Sequence, residues 1–229
     1  MEKDTEKQNL GEAPVGRLLL NLAIPTIIAQ LVNLLYNLVD RVYIGHIPKV
    51  GDMALTGLGL CFPVIMMITA FSSLIGAGGA PRAAIYMGKG DTDSAEQILG
   101  NCTAMLVAVS VALTVTLELC GPTILRLFGA SDNTFPYAIS YMRIYVFGTA
   151  CVMITLGLNM FVTTQGFSRI SMMTVLIGAA LNIILDPLFI FVLGMGVQGA
   201  ALATILSQGV SALWVLRFLT GGKTKLRIR

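Results

Sequence analysis

Charge is what this chain has least of. Asp, Glu, Lys and Arg make up 12% of its 229 residues while hydrophobic residues make up 55%, and ordinary soluble domains carry about 25% charged residues. No soluble domain is therefore expected. Histidine is almost absent: His46 stands alone in a loop near Pro48 and Gly51, with no second His or Cys at ligand spacing. That argues against a zinc site and leaves a solvated loop residue. Cys61, Cys102, Cys120 and Cys151 show no C-x-x-C spacing and lie in or at the edges of apolar segments, so they read as small apolar fillers. The run Ser72, Ser73, Gly76, Gly78, Gly79 lacks the Lys and Ser/Thr of a phosphate loop, and close helix packing explains it better. Met1 to Glu12 lacks the apolar stretch and small-residue cleavage site of a signal peptide, so the first helix is expected to direct membrane insertion.

What the chain has in abundance is uninterrupted apolar sequence. Met53 to Pro81 contains no charged side chain, and neither do Ile98 to Leu117, Ile144 to Ser168, Ile170 to Leu185 or Val197 to Leu216. A helix rises about 1.5 Å per residue, so roughly 20 apolar residues cross a hydrocarbon core about 30 Å thick. Leu18 to Ile44 adds a further segment, broken only by Asp40 and Arg41. The expectation is an all-α, polytopic membrane protein with six spans near 18–44, 53–85, 97–120, 135–164, 169–193 and 197–219. A tail, 1–17, precedes them and a basic tail, 220–229, follows.

Lys and Arg collect on cytoplasmic flanks. With the N-terminus inside, Lys3, Lys7, Arg17, Arg82, Lys89, Arg169, Arg217, Lys223, Lys225, Arg227 and Arg229 fall on the inner side, against Lys49 and Arg126 outside. Both termini are thus expected in the cytoplasm of a cell membrane. The net charge of +3 reflects that topology and the lipid bilayer as partner, not nucleic acid.

The informative residues are the polar ones within the spans. Asp at the centre of a spanning helix is penalised by about 2.5–3.5 kcal/mol, so each one raises a functional hypothesis. Gln30, Asn33, Asn37 and Asp40 recur at spacings of three and four and lie along one face of the first helix. Asn182 and Asp186 stack four apart in the fifth, continuing a line through Gly178, Thr174 and Ser171, and Thr204, Gln208 and Ser211 do the same in the sixth. Three polar faces suit a water-filled cavity. By helical rise Asp186 and Thr204 should be level. Pro187 lacks an amide hydrogen and is expected to leave the Ile183 carbonyl unpaired below Asp186, which suits a cation or proton site. Asp40 with Arg41 has an alternative reading as an interfacial ion pair. Asp186 has no Lys or Arg near it in sequence, and burial disfavours its charged form, so it is suited to exchanging a proton. Pro25 is expected to bend the first helix within about a turn.

The run from Ile24 through Pro25 to Tyr36-Asn37-Leu38-Val39-Asp40-Arg41-Val42-Tyr43-Ile44-Gly45 resembles the first helix of the multidrug and toxic compound extrusion (MATE) transporters. Leu181-Asn182-Ile183-Ile184-Leu185-Asp186-Pro187-Leu188-Phe189 resembles their fifth helix, Gly199 to Thr204 their sixth, and Thr163-Thr164-Gln165-Gly166 also matches. Tyr36 to Gly45, followed by an alanine- and glycine-rich second helix, is most similar to the MepA-type bacterial branch. The resemblance implies a multidrug efflux antiporter of two six-helix lobes, exchanging small organic cations for H+ or Na+. It places the family's cation site on Asp40, Asn182, Asp186 and Thr204, with further polar positions at Tyr141 and Asn159. Asn159 is the weaker correspondence, because it lies near the inner end of its helix. With Gln30, Asn33, Asn37 and Gln208, these two make up the expected substrate cavity. No catalytic residue, metal centre or cofactor is expected beyond the coupling ion.

The chain departs from the family by having six spans where members have twelve. The basic end resembles the linker between lobes, so a truncated gene or fragment is expected, with a second lobe missing or a homodimer in its place. Three alternatives stand beside this reading. A lipid-linked oligosaccharide flippase should line its cavity with several Arg or Lys, and these helices offer only Arg41 and Arg143. An aspartyl protease is suggested by Gly88-Lys89-Gly90-Asp91, but that pattern sits in a polar loop beside Asp93 and Glu96, where a solvated turn is the better reading. A non-transporting structural bundle is the third.

Overall fold

A computed structural model describes residues 15–222 and 224–228. Most of the expected N-terminal tail, including Lys3 and Lys7, and Lys223 and Arg229 of the basic tail lie outside the described residues. The described chain folds into helices α1 (Val15–Gly45), α2 (Gly51–Gly88), α3 (Thr92–Leu127), α4 (Phe135–Phe147), α5 (Thr149–Thr164) and α6 (Ser168–Pro187). A π-helical segment, Leu188–Val192, and α7 (Val197–Thr220) complete it. Five helices are long and apolar enough to cross a membrane, and α4 with α5 makes a sixth span if the bent pair is counted as one. The helices run up and down, so residue 15 and the end of α7 share one end of the bundle. That end is called proximal below and the other distal.

α2 is the central helix, packed against α3, α4 and α5, while α1 lies mainly on α6 and α7 packs on α5 and α6. Glycine permits the α2–α5 approach: a Cβ on Gly76 would sit 2.9 Å from the Gly157 carbonyl oxygen. Large apolar side chains cover much of the outer surface, including Val107, Val111, Val115 and Leu119 of α3, as lipid requires of a peripheral helix.

The span expected at 135–164 is two helices. The chain bends by 56° between α4 and α5, around Gly148, where a Cβ would collide with the Ile205 side chain of α7. The Val146 carbonyl at the break is held by the hydroxyls of Thr149 (2.6 Å) and Thr114 (3.1 Å). The span expected at 169–193 changes character at Pro187. Because proline cannot donate to the helical ladder, the α-helix gives way to the π-helical segment, where the Leu193 amide donates to the Leu188 carbonyl at 2.9 Å. α1, by contrast, continues unbroken through Pro25.

Gly90, at φ +80°, turns the chain between α2 and α3. Asp91 then caps α3 by accepting from the Ser94 amide at 3.0 Å, and those hydrogen bonds hold its carboxyl below the usual carboxylate range. It is an exposed helix cap, as the solvated-turn reading requires. His46 is also exposed, its Nδ1 2.7 Å from the Val42 carbonyl oxygen. The cysteines are free; Cys61 and Cys102 are buried and Cys151 partly so, whereas Cys120 is exposed on α3 and fills no gap.

Past α7 the chain folds back across the proximal end. Leu226 is buried, and Gln165 Oε1 accepts from the amides of Lys225 and Leu226 at 3.0 Å and from the Thr224 hydroxyl at 2.8 Å. The Arg227 amide donates to Glu96 Oε1 at 3.0 Å, and the Ile228 amide to the Leu219 carbonyl. Residues 224–228 thus strap α3, the α5–α6 turn and α7 together.

Candidate cation site

One turn of α6 places Asn182 directly below Asp186. Asp186 is 0% exposed and Asn182 2%. Asn182 Nδ2 donates to Asp186 Oδ1 at 3.2 Å and to Thr204 Oγ1 of α7 at 3.4 Å, and the Thr204 hydroxyl donates to the Ala200 carbonyl at 3.0 Å. The two helices are drawn together here by Gly199. A Cβ there would stand 2.7 Å from the Phe189 carbonyl carbon, so only glycine lets the start of α7 lie against the π-helical segment. Thr204 meets Asn182, itself one turn from Asp186, so α7 brings it to the same part of the bundle.

α1 supplies the third side. Asp40 is 8% exposed, and its carboxyl lies within hydrogen-bonding reach of the Asp186 carboxyl. Arg41 is exposed, with its guanidinium carbon 5.8 Å from the centre of the Phe62 ring. Among the described residues the only salt bridge joins Arg126 and Asp132, so Asp40 and Arg41 do not form the interfacial pair considered as an alternative.

Tyr141 is buried in the same electrostatic neighbourhood as Asp40 and stacks on Tyr145 with centroids 5.9 Å apart. Gln208 lies one turn beyond Thr204 on α7, and Tyr36 is half-buried one turn before Asp40 on α1. Tyr36 escaped the sequence reading, although it precedes Asp40 by four residues, the spacing that stacks side chains on one helix face.

Other expected residues are not gathered in. Gln30 and Asn37 are exposed on the flank of α1, and Asn33 is half-buried; Asn37 Nδ2 donates to the Asn33 carbonyl at 2.7 Å. Asn159 lies toward the proximal end of α5 and donates to the Ser171 carbonyl at 3.3 Å. Nor do the polar faces of α6 and α7 stand apart around water. They pack on each other: the Ser211 hydroxyl donates to the Thr174 carbonyl at 3.1 Å, and a Cβ on Gly178 would lie 2.6 Å from that hydroxyl.

The cluster is short of donors. Asp40 Oδ1, Asp186 Oδ2, Asn182 Oδ1 and Gln208 Oε1 are buried without a hydrogen-bond partner among the described residues. Unpaired buried acceptors are costly, and two carboxyl groups in contact away from water call for a positive charge between them. The available ligands are all oxygen, the set that suits a proton or a hard cation and not a soft metal. No group of three or more His, Cys, Asp or Glu side chains capable of holding a metal occurs among the described residues.

Known proteins bear the same architecture. The MatE family profile matches residues 25–188. A FAD transporter of Shewanella oneidensis is 28% identical over 206 residues, covering 88% of this chain and 45% of that protein. The multidrug export protein MepA of Staphylococcus haemolyticus is 26% identical over 219 residues, covering 95% and 48%. A solved MATE structure in the straight conformation superposes with a TM-score of 0.90 at 29% identity over 99% of this chain and 50% of that one. The bent conformation gives 0.86 at 30% identity over 93% and 47%. The chain therefore spans about half the length of the relatives it matches. On the profile match and on a helical bundle that superposes on half of a MATE transporter, this chain belongs to the MatE family.

Proposed function

We propose that the lobe is the ion-coupled half of a multidrug exporter that moves organic cations out of the cell in exchange for H+ or Na+. The observation that carries this reading is the contact between Asp40 and Asp186 beside Asn182 and Thr204, with acceptors in surplus. A bound cation occupies that surplus; its release leaves two carboxylates that repel, which gives α1 a reason to move against α6. In this reading the proximal end faces the cytoplasm of a bacterial plasma membrane. A second six-helix body, from a further lobe or a second copy, completes the cavity that Gln30 and Asn37 border, and the cargo enters there. Organic cations suit a cavity with buried carboxylates at its wall. The chain acts as a transporter and not an enzyme.

The test is ethidium efflux from energised cells that express the lobe joined to a second lobe. Asp186→Asn keeps the shape and removes the charge, and it should reduce coupled efflux to background while the protein stays inserted. Efflux at the unmodified rate sinks the assignment.

A second reading has one observation in its favour: the Shewanella relative is named a FAD transporter, and Arg41 gives the exposed side of α1 a cation. The cargo is then an anionic flavin nucleotide. Uptake of FAD into inverted vesicles, abolished by Arg41→Gln and insensitive to ethidium, would select it.

A further inference from the structure

A groove of about 430 Å³ opens between α2 and α3 in the proximal half of the bundle, away from the carboxylate cluster. Leu74, Ile75, Ile98 and Met105 give it apolar walls, Gly78 and Gly79 form its floor, and Arg82 and Asn101 lie toward its proximal end. Glycine makes the groove. Nothing lies within 4 Å of the position a Cβ on Gly78 would take, so the missing side chain leaves open space that packing does not require. Leu74 precedes Arg82 by eight residues, so the apolar end lies about 12 Å deeper in the membrane than Arg82.

Arg82 is exposed and takes part in no salt bridge among the described residues. A guanidinium at the edge of a hydrocarbon core is expected to find a counter-charge, because the low dielectric makes an unpaired charge expensive. α3, which forms one wall, turns Val107, Val111, Val115 and Leu119 outward along its distal half, all of them well exposed. No polar stripe interrupts that surface, which is the mark of a helix facing lipid and not a water-filled cavity.

We infer that the α2–α3 groove is a binding site for one anionic phospholipid of the proximal leaflet, with an acyl chain along Leu74, Gly78 and Met105 and the phosphate on Arg82. Charge complementarity selects this occupant. The Arg fork matches phosphate oxygens bidentately, Asn101 offers an amide donor to the glycerol or phosphate oxygens, and the open floor at Gly78 admits a methylene chain where any larger residue would block it. The assignment is independent of the cation site and of which cargo the transporter carries.

The experiment uses the full chain released from nanodiscs that hold phosphatidylglycerol and phosphatidylcholine in equal amounts, with retained lipid read by native mass spectrometry. The expected result is one retained phosphatidylglycerol in preference to phosphatidylcholine. Arg82→Gln should weaken that preference about tenfold, the size of a lost charge-assisted bond, and Gly78→Phe should prevent retention of either lipid. Both positions are open to solvent or lipid, so the variants should insert normally, with helix content unchanged by circular dichroism as the check. Unchanged retention in both variants, or no retained lipid in the unmodified chain, overturns the inference. So does a Met105→Cys variant that crosslinks to a second protein lobe or copy, since the groove is then a protein seat.

Discussion

Two buried clusters of this bundle, around Gln165 and around Asp186, treat acceptors in opposite ways. At the proximal end a single amide oxygen, Gln165 Oε1, accepts three hydrogen bonds from the returning chain. Toward the distal end, Asp40 Oδ1, Asp186 Oδ2 and Asn182 Oδ1 are buried and find no hydrogen-bond partner among the described residues. Both regions are buried, and both join segments distant in sequence. The difference is between a site completed by the chain itself and a site that the chain leaves to be completed by something else. An acceptor saturated by backbone amides stabilises the fold by about 0.5–1.5 kcal/mol per bond. A cluster of unpaired acceptors opposes it, and such a cluster is kept where a ligand supplies the missing positive charge.

The sharpest way to break this contrast is at Asp186. With a second lobe present, Asp186→Asn should lower ion-coupled ethidium efflux by a factor of about 100 or more, since it removes the charge that the cation answers. Retained coupling would mean that the distal oxygens are only a packing arrangement. The lone 229-residue chain, reconstituted in liposomes, should bind Na+ or protons yet move no ethidium under an ion gradient, because alternating access requires two bodies that rock against each other. Gradient-driven movement without a crosslinked dimer would remove that requirement.

A smaller effect is expected from Asn182→Ala, which keeps both carboxyls and removes the amide that joins α6 to α7. Cation binding, measured by Na+ titration of the reconstituted lobe, should weaken about tenfold. Unchanged binding would show that the carboxyl pair acts alone. At the opposite end, Gln165→Ala should release residues 224–228 at a cost of about 1–3 kcal/mol. Trypsin cleavage after Lys225 and Arg227 should then accelerate severalfold, while Na+ affinity at the distal cluster stays the same. Linked changes at the two ends would dissolve the contrast. Least of all should come from Asn159→Ala, whose side chain serves the α5–α6 contact; efflux within about twofold of the unmodified protein is expected, and a loss as large as that of Asp186→Asn would place Asn159 in the ion pathway.

Much of the distal site was legible because membrane helices make polar residues conspicuous. Asn182 and Asp186 announce themselves by spacing, and Thr204 by depth, since a fixed rise per residue converts position along two antiparallel helices into a common level. The α1 stripe divides by burial. Spacings of three and four gather Gln30, Asn33, Asn37 and Asp40 onto one side, of which Asp40 is buried, Asn33 half-buried, and Gln30 and Asn37 exposed. The buried arc is centred a little further round, where Tyr36 sits. A tyrosine in an apolar helix attracts no notice by composition. The break at Gly148 was hidden for a related reason: glycine is common in membrane helices, and it is the Ile205 side chain of α7 that turns this one into a bend. The fold-back of residues 224–228 left no periodic signal at all, because its bonds run from backbone amides that every sequence possesses.

That fold-back has a consequence for synthesis. Gln165 and Glu96 lie 61 and 131 residues before their partners Leu226 and Arg227, so these are among the last contacts in the lobe that a ribosome-bound chain can make. Leu226 can bury itself only against α3, α5 and α7 already in place, since a single misinserted span would carry Gln165 or Glu96 to the wrong side of the bilayer. The strap can therefore seat only once α3, the α5–α6 turn and α7 are in place, which makes it a late step in the folding of the lobe.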